Sequence, residues 1–214
     1  MVTPFARSIC VDPKSTPGDN PKDNPFLQEP ESASIKIPSV RPVSAAFRRF
    51  PPRELAVFDG QLDHIEELLA GLRPGIEAIV LVSRANGIHQ ISSWLNTHHR
   101  FDAIHIFTSG ESGQLNLGDA VLNLQTLPMY YTTLGQWRQH LSRNAIIQIY
   151  SSNLAAPPNG GKFVQSLGEV LDVTVAATRY PLGKGRWQLD LIHGGASVAL
   201  PLNRECVETY DHAL

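Results

Sequence analysis

The stretch Phe101-Asp-Ala-Ile-His-Ile-Phe107 is a short, almost continuous apolar run that leads into three small residues, Thr108-Ser109-Gly110. A run of this length and composition is typical of a strand that is covered on both faces. Similar runs occur on either side of it along the chain, at 54–58, 77–82, 145–150, 173–177 and, more weakly, 187–192. The sequence therefore predicts a sheet of five or six strands, with 187–192 at an edge.

Segments with helical spacing separate these runs. Asn86 can cap a helix that follows the second run. Strict alternation of strand and helix implies right-handed crossovers and a mostly parallel sheet. We therefore predict an α/β fold, a three-layer sandwich in which helices flank a mostly parallel central sheet. The predicted helices cover residues 62–72, 86–95, 131–141 and 163–171.

Both ends of the chain differ from this pattern. Residues 1–52 are rich in Pro, Ser, Asp and Asn and contain too few apolar residues to offset the entropy cost of ordering. We predict a disordered N-terminal tail there, either passive or used for tethering or docking. Residues 193–214 show no strong pattern and are predicted to be a C-terminal tail. One domain, 53–192, lies between the two tails.

The charge balance and the apolar runs exclude some classes of protein. The 18 basic and 20 acidic residues give a net charge of -2, whereas a broad nucleic-acid surface needs a basic excess. No run approaches the roughly 18 apolar residues of a membrane span. The N-terminus lacks the pattern of a signal peptide. We expect a soluble chain with the cytoplasm as its default location, although export without a cleaved signal leaves no mark in a sequence.

The cysteines and histidines do not show the spacing of a metal site. Cys10 and Cys206 form no CxxC pair, and nothing favours a disulfide between them. His98 and His99 are adjacent rather than four apart on a helix. We therefore expect no metal and no cofactor, and we interpret the remaining histidines outside the strands and the second helix as solitary: His64, His140, His193 and His212.

Two loops of small residues follow predicted central strands, at 108–113 and 151–156. Ligands of open α/β sheets bind outside the carboxyl ends of the strands. The glycines of the first loop permit close approach of another backbone. Ordinary turns in which Ser and Asn cap the next element would have the same composition. Both interpretations follow from the residues alone.

The motifs in these loops are similar to those of a known family. Asp102-Ala-Ile-His-Ile-Phe-Thr-Ser-Gly110, followed by Gln114-Leu-Asn-Leu-Gly118, resembles the DUF4347 pattern DAIHIVSHG followed by LxLG. Ile149-Tyr-Ser-Ser-Asn-Leu-Ala-Ala156 is similar to that family's LLYGCNVAAG. The resemblance covers about residues 53–190.

This resemblance implies a caspase-like fold, similar to that of the clan CD cysteine peptidases. In that mechanism a His after one strand activates a Cys after the next. The family's His aligns with Ser109 and its Cys with Ser152. Loss of a catalytic-triad member typically costs on the order of 10⁴-fold in rate. The resemblance therefore implies that no catalytic residue is intact and that Ser109 and Ser152 are degenerate positions.

Another base for Ser152 would have to come from elsewhere in the chain. His105 precedes Ser109 on the same predicted strand by about 13 Å, at about 3.3 Å per residue. We expect His105 to be a buried core histidine rather than a base.

Three hypotheses follow. The first is an inactive pseudo-peptidase domain that binds a protein or peptide. The second is a serine-dependent hydrolase that uses Ser152. The third is a structural remnant whose function lies in the N-terminal tail. The sequence specifies neither the partner nor the oligomeric state. For the first hypothesis, the binding candidates are Thr108, Gly110, Ser151 and Asn153.

Overall fold

The computed structural model describes residues 51–98, 100–194 and 199–214. The strands in these ranges are β1 (Glu54–Asp59), β2 (Glu77–Leu81), β3 (Phe101–Phe107), β4 (Gly110–Glu111), β5 (Gln114–Leu117), β6 (Ala120–Asn123), β7 (Leu141–Tyr150), β8 (Thr174–Ala177) and β9 (Leu191–His193). The α-helices are α1 (Ile65–Ala70), α2 (Gly87–Leu95), α3 (Tyr131–Trp137), α4 (Gly160–Leu171) and α5 (Arg204–Thr209), and short 3-10 helices flank α3 at Leu127–Tyr130 and Arg138–His140.

The central sheet has six strands in the order β2-β1-β3-β7-β8-β9. The first five are parallel, and β9 is antiparallel to β8. The prediction of an α/β sandwich with a mostly parallel sheet is confirmed. The strand at 101–107 has the predicted bounds, and Asn86 caps α2 by accepting a hydrogen bond from the His89 N–H at 3.1 Å.

Each face of the sheet has its own apolar core. On one face, side chains of β1, β3 and β7 pack against α2, α3 and α4. On the other face, Phe58, Phe107 and Tyr150 stack in a row across three neighbouring strands, with ring centroids 4.7 and 4.6 Å apart. This second core lies beneath α1 and α5. The helices therefore cover both faces, as strands without polar alternation require.

The structure corrects the prediction for the end of the chain. Residues 199–214 are not a tail, because Leu202, Cys206 and Tyr210 are buried in the second core. The expected edge strand at 187–192 is also shorter: only Leu191–His193 pairs, and Trp187 instead packs against Tyr210. The predicted tail at 1–52 lies, apart from its last two residues, outside the described residues.

A second, three-stranded antiparallel sheet of β4, β5 and β6 follows β3 and was not among the predicted elements. Its strands have four residues or fewer, too short for alternation to stand out. No helix in the described part of the chain is long and apolar enough to cross a membrane.

Candidate functional site

The two loops singled out in the sequence begin side by side at the carboxyl edge of the sheet. β3 and β7 are parallel neighbours in which Phe107 pairs with Tyr150. Ser109 and Ser152 each lie two residues beyond that pair. The Thr108 N–H donates to the Tyr150 carbonyl at 3.1 Å, which continues the pairing past the strand ends. The structure therefore places the two positions beyond the ends of neighbouring strands.

The hydroxyl of Ser152 has a structural partner. Its Oγ accepts a hydrogen bond of 2.9 Å from the N–H of Leu182, a buried residue that follows β8. In residues 51–98, 100–194 and 199–214, no imidazole or carboxylate is hydrogen-bonded to this oxygen. A serine without an adjacent base is a weak nucleophile. The geometry thus uses Ser152 to hold the loop after β8.

Ser109 is exposed to solvent, and its neighbours hold it through the backbone. Its carbonyl accepts a hydrogen bond of 3.3 Å from the Asn116 N–H, in β5. The side chain itself has no hydrogen-bond partner in the part of the chain that the structure describes. The exposed Ser109 hydroxyl can form a hydrogen bond with a ligand, but it is not a base that could activate Ser152.

The other predicted binding residues differ in accessibility. Thr108 is buried and its hydroxyl donates to the carbonyl of Asn116. Ser151 is also buried, and a Cβ added to Gly110 would lie 2.7 Å from its Oγ. Asn153 is exposed, has a left-handed φ of 58°, and donates its N–H to the Tyr180 carbonyl at 3.1 Å. Only Asn153 of these four presents an exposed side chain.

The first loop is joined to the second through the turn between β4 and β5. Ser112 Oγ donates to the carbonyl of Ala156, and the Gly113 N–H donates to the Leu154 carbonyl at 2.9 Å. Gly113 has a φ of 73°, a conformation that glycine adopts at little cost. These bonds hold the loops after β3 and β7 as one unit.

One exposed aromatic side chain lies beside this unit. Tyr180 is 55% exposed, and its carbonyl is the acceptor for Asn153 described above. We call Ser109, Ser152, Asn153 and Tyr180 the strand-end surface. Hydroxyl, amide and phenol groups allow this surface to form hydrogen bonds and aromatic contacts.

The expectation of a buried His105 is confirmed. It is 1% exposed, and its Nε2 lies 2.9 Å from Glu54 Oε2. Arg73 approaches the same oxygen at 2.7 Å. The hydrogen bond with His105 and the charge of Arg73 lower the pKa of Glu54 despite its burial. The Glu54 carboxylate is thus the hydrogen-bond partner of the His105 ring, a pairing between β1 and β3 that residue spacing does not reveal.

The interpretation of His64 and His212 as solitary is wrong. Their rings stack with centroids 3.5 Å apart, and both lie 3.4 Å from Glu67 Oε1. His64 precedes α1, whereas His212 follows α5 near the end of the sequence. Sequence spacing can reveal only the pair His64–Glu67, three residues apart on the chain. His212 is far from both in sequence, and the folded chain brings it next to them.

Comparison with known proteins agrees with the motifs of the two loops. No curated protein sequence matches the chain. The family model described as "Domain of unknown function (DUF4347)" matches residues 55–214. The matched range includes the C-terminal segment that packs over the second core. This match covers well over half of the 214 residues. The chain therefore belongs to the DUF4347 family.

Proposed function

We propose that this chain is a catalytically inactive, caspase-like domain that binds a protein or peptide at the strand-end surface. The observation that carries the proposal is the hydrogen bond from the Leu182 N–H to Ser152 Oγ. Ser152 occupies the position of the family's Cys, and its hydroxyl is an acceptor for backbone rather than a donor to a base. A nucleophilic mechanism needs a base that takes the hydroxyl proton, and no imidazole or carboxylate of the described residues is hydrogen-bonded to this oxygen.

His105, the histidine of β3, is not placed to act as the missing general base. His105 lies within β3, four residues before Ser109, and its Nε2 is bound to Glu54. A general base must come within about 2.6–3.2 Å of the proton that it removes. Ser109 itself has no imidazole to offer. The serine-hydrolase alternative therefore lacks its base among the described residues.

Recognition, by contrast, needs only accessible groups on a rigid frame. The bonds from Ser112 and Gly113 fix the two loops relative to each other, which reduces the entropy cost of binding. An exposed tyrosine beside an exposed amide is a combination that protein interfaces favour. Tyr180 and Asn153 supply this pair.

Peptidase assays test the inactive half of the proposal. The full chain and Ser152→Ala are incubated with a mixture of fluorogenic peptides. We expect equal, background-level rates for both. The double variant Ser109→His/Ser152→Cys restores the family's residue types, and a gain of thiol-dependent turnover in it would support the caspase-like assignment. Robust turnover by the wild-type chain that Ser152→Ala abolishes would overturn the proposal.

Peptide selection tests the binding half. A displayed peptide library is selected against the full chain, and the affinities of selected peptides are measured for Tyr180→Ala and Tyr131→Ala. These tyrosines are 55% and 50% exposed, and Tyr131 is the first residue of α3, outside the loops that follow β7 and β8. We expect Tyr180→Ala to weaken binding at least about tenfold, as loss of an aromatic anchor does, and Tyr131→Ala to leave it unchanged. Equal effects would place recognition elsewhere.

The remnant hypothesis predicts a different outcome. If the N-terminal segment alone carries the function, deletion of residues 1–52 removes binding of the selected peptides. Under our proposal, the chain that begins at Arg53 binds them as the full chain does.

A further inference from the structure

Three side chains with metal-binding atoms converge beside the start of α1. His64 Nδ1 and His212 Nε2 each lie 3.4 Å from the same oxygen, Glu67 Oε1. The three ligand atoms all lie within 4.8 Å of one another. Two imidazoles and one carboxylate form a donor set that zinc and similar divalent transition metals accept.

The two nitrogen–oxygen distances fit coordination better than direct hydrogen bonding. A strong N–H···O bond measures about 2.7–3.2 Å, and both distances at Glu67 are longer, at 3.4 Å. Ligands about 2.0–2.1 Å from a tetrahedral zinc ion are about 3.3–3.4 Å apart. Glu67 Oε1 therefore lies as far from each imidazole nitrogen as two ligand atoms of one zinc ion lie from each other.

The third edge of the triangle needs a small change. The rings of His64 and His212 are stacked, with an angle of 6° between their planes. A shared ion requires one ring to rotate so that its nitrogen turns toward the other. Both side chains are free to do so because they are 45% and 38% exposed.

The surroundings favour a cation. Asp63 and Asp211 are exposed neighbours of the two histidines in sequence. No Lys or Arg occurs in residues 60–72 or 205–214. The Asp and Glu side chains of these two segments are therefore not offset by any Lys or Arg within them.

We propose that His64, Glu67 and His212 bind a divalent transition-metal ion of the zinc class, with the remaining coordination positions open to water. The exposure of all three ligands leaves the ion accessible from solvent. This site is independent of the proposed recognition role.

The position of the site gives it a structural consequence. His212 belongs to a segment whose end pairs with the loop after β8, since the Leu214 N–H donates to the Leu182 carbonyl at 3.2 Å. Leu182 is also the donor to Ser152 Oγ. An ion that joins His212 to α1 would fix this segment beside the strand-end surface.

Metal titration of the full chain tests the proposal. The chain is first stripped with a chelator and then titrated with Zn²⁺ by calorimetry, and with Co²⁺, whose visible absorption reports its coordination geometry. The test variants are His64→Asn, which keeps a residue that tolerates the left-handed backbone at this position (φ 55°), Glu67→Gln and His212→Ala. His89→Ala is the matched control, because His89 is an exposed histidine outside the cluster.

The expected result is one equivalent of Zn²⁺, bound at least about tenfold more weakly by each test variant and unchanged in His89→Ala. Zinc should also raise the melting temperature of the wild-type chain, since an ion that binds only the folded state stabilises it, and this shift should disappear in His212→Ala. Apo melting temperatures close to that of the wild type show that the variants remain folded. Absence of binding, or binding that His64→Asn and His212→Ala leave intact, overturns the proposal.

Discussion

Two adjacent serines at the end of β7 have opposite roles in the structure. Ser152 Oγ accepts from the buried Leu182 N–H, whereas Ser151 Oγ is buried without a hydrogen-bond partner among the described residues. An unsatisfied buried polar group costs about 1–3 kcal/mol, and a satisfied hydrogen bond contributes about 1 kcal/mol. The two hydroxyls should therefore differ in their effect on stability, although neither is catalytic under our proposal.

We expect Ser152→Ala to lower the free energy of unfolding by about 1–2 kcal/mol, because the Leu182 N–H loses its acceptor. Ser151→Ala should be neutral or stabilising by up to about 1 kcal/mol, because it removes an unpaired hydroxyl and leaves no partner behind. Urea denaturation of the two variants measures both changes. A larger loss in Ser151→Ala than in Ser152→Ala would contradict this assignment of roles.

The carboxylate of Glu54 is the second residue-scale feature with a measurable effect. It lies 2.7 Å from Arg73 and 2.9 Å from the buried His105. Glu54→Gln should lower the free energy of unfolding at pH 7 by about 1.5–3 kcal/mol, the range for hydrogen bonds to charged groups. The matched control is Glu77→Gln, whose carboxylate also lies 2.7 Å from an arginine but is 38% exposed. An exposed pair contributes under about 1 kcal/mol.

The lowered pKa of Glu54 gives this effect a defined pH dependence. The folded-state pKa lies below its usual value of 4.5, chiefly because of the bond to His105. Stability from the ionised form is therefore fully present above pH 4.5 and is lost as the pH falls through the folded pKa. The stability difference between wild type and Glu54→Gln should shrink on acidification. A difference that grows below pH 4 would contradict the lowered pKa.

At the scale of elements, α1 and α5 approach each other closely at one glycine. A Cβ added to Gly71 would lie 2.3 Å from Cys206 Sγ and 2.4 Å from its Cβ. Gly71 has a φ of -82°, which alanine also adopts, so the constraint is contact rather than backbone conformation. The glycine thus permits α5 to pack over the second core.

We expect Gly71→Ala to displace α5 and to destabilise the fold by about 1–3 kcal/mol, as overpacking does. Cys206 is 7% exposed, and burial raises the pKa of its thiol, so wild-type labelling by a thiol reagent should be slow. In a Cys10→Ser background, Gly71→Ala should label faster. Gly161→Ala is the control, because nothing lies within 4 Å of its added Cβ; equal labelling rates in the two variants would refute the contact.

The elements also show what sequence patterns can and cannot reveal. β1, β3, α2 and α4 were predicted because long apolar runs and helical spacing are local signals. α5 was missed because its six residues carry only two apolar side chains, the neighbours Cys206 and Val207, which show no helical repeat, whereas α1 lies within the leucine-rich segment at 62–72. The strand-end serines were found because both loops directly follow apolar runs and carry motifs that resemble those of the family, whereas the His64–His212 stack depends on tertiary packing. Local patterns therefore predicted the sheet and its edge, but not contacts between distant segments.

At the scale of the whole molecule, helices shield an apolar core on each face of the sheet from water. α2, α3 and α4 cover one face, and the row of stacked rings from Phe58 to Tyr150 on the other face lies beneath α1 and α5. The family match extends through residue 214, in agreement with this second layer. The C-terminal segment is thus part of the domain, and its removal should act on the entire fold.

A chain that ends at Gly194 should therefore lose most of its stability. It lacks the buried side chains of Leu202, Cys206 and Tyr210. Burial of each large apolar side chain contributes about 1.5–3 kcal/mol, so the loss exceeds about 4 kcal/mol, against a total of about 5–15 kcal/mol for an ordinary domain.

Near-ultraviolet circular dichroism and urea denaturation of this shortened chain, compared with a chain that begins at Pro51, measure the effect. The shortened C-terminus should abolish the cooperative transition, because the stacked rings of the second core become exposed to water, whereas the chain from Pro51 should unfold like the full-length protein. A chain ending at Gly194 with an unchanged transition would show that the second core does not need the C-terminal segment.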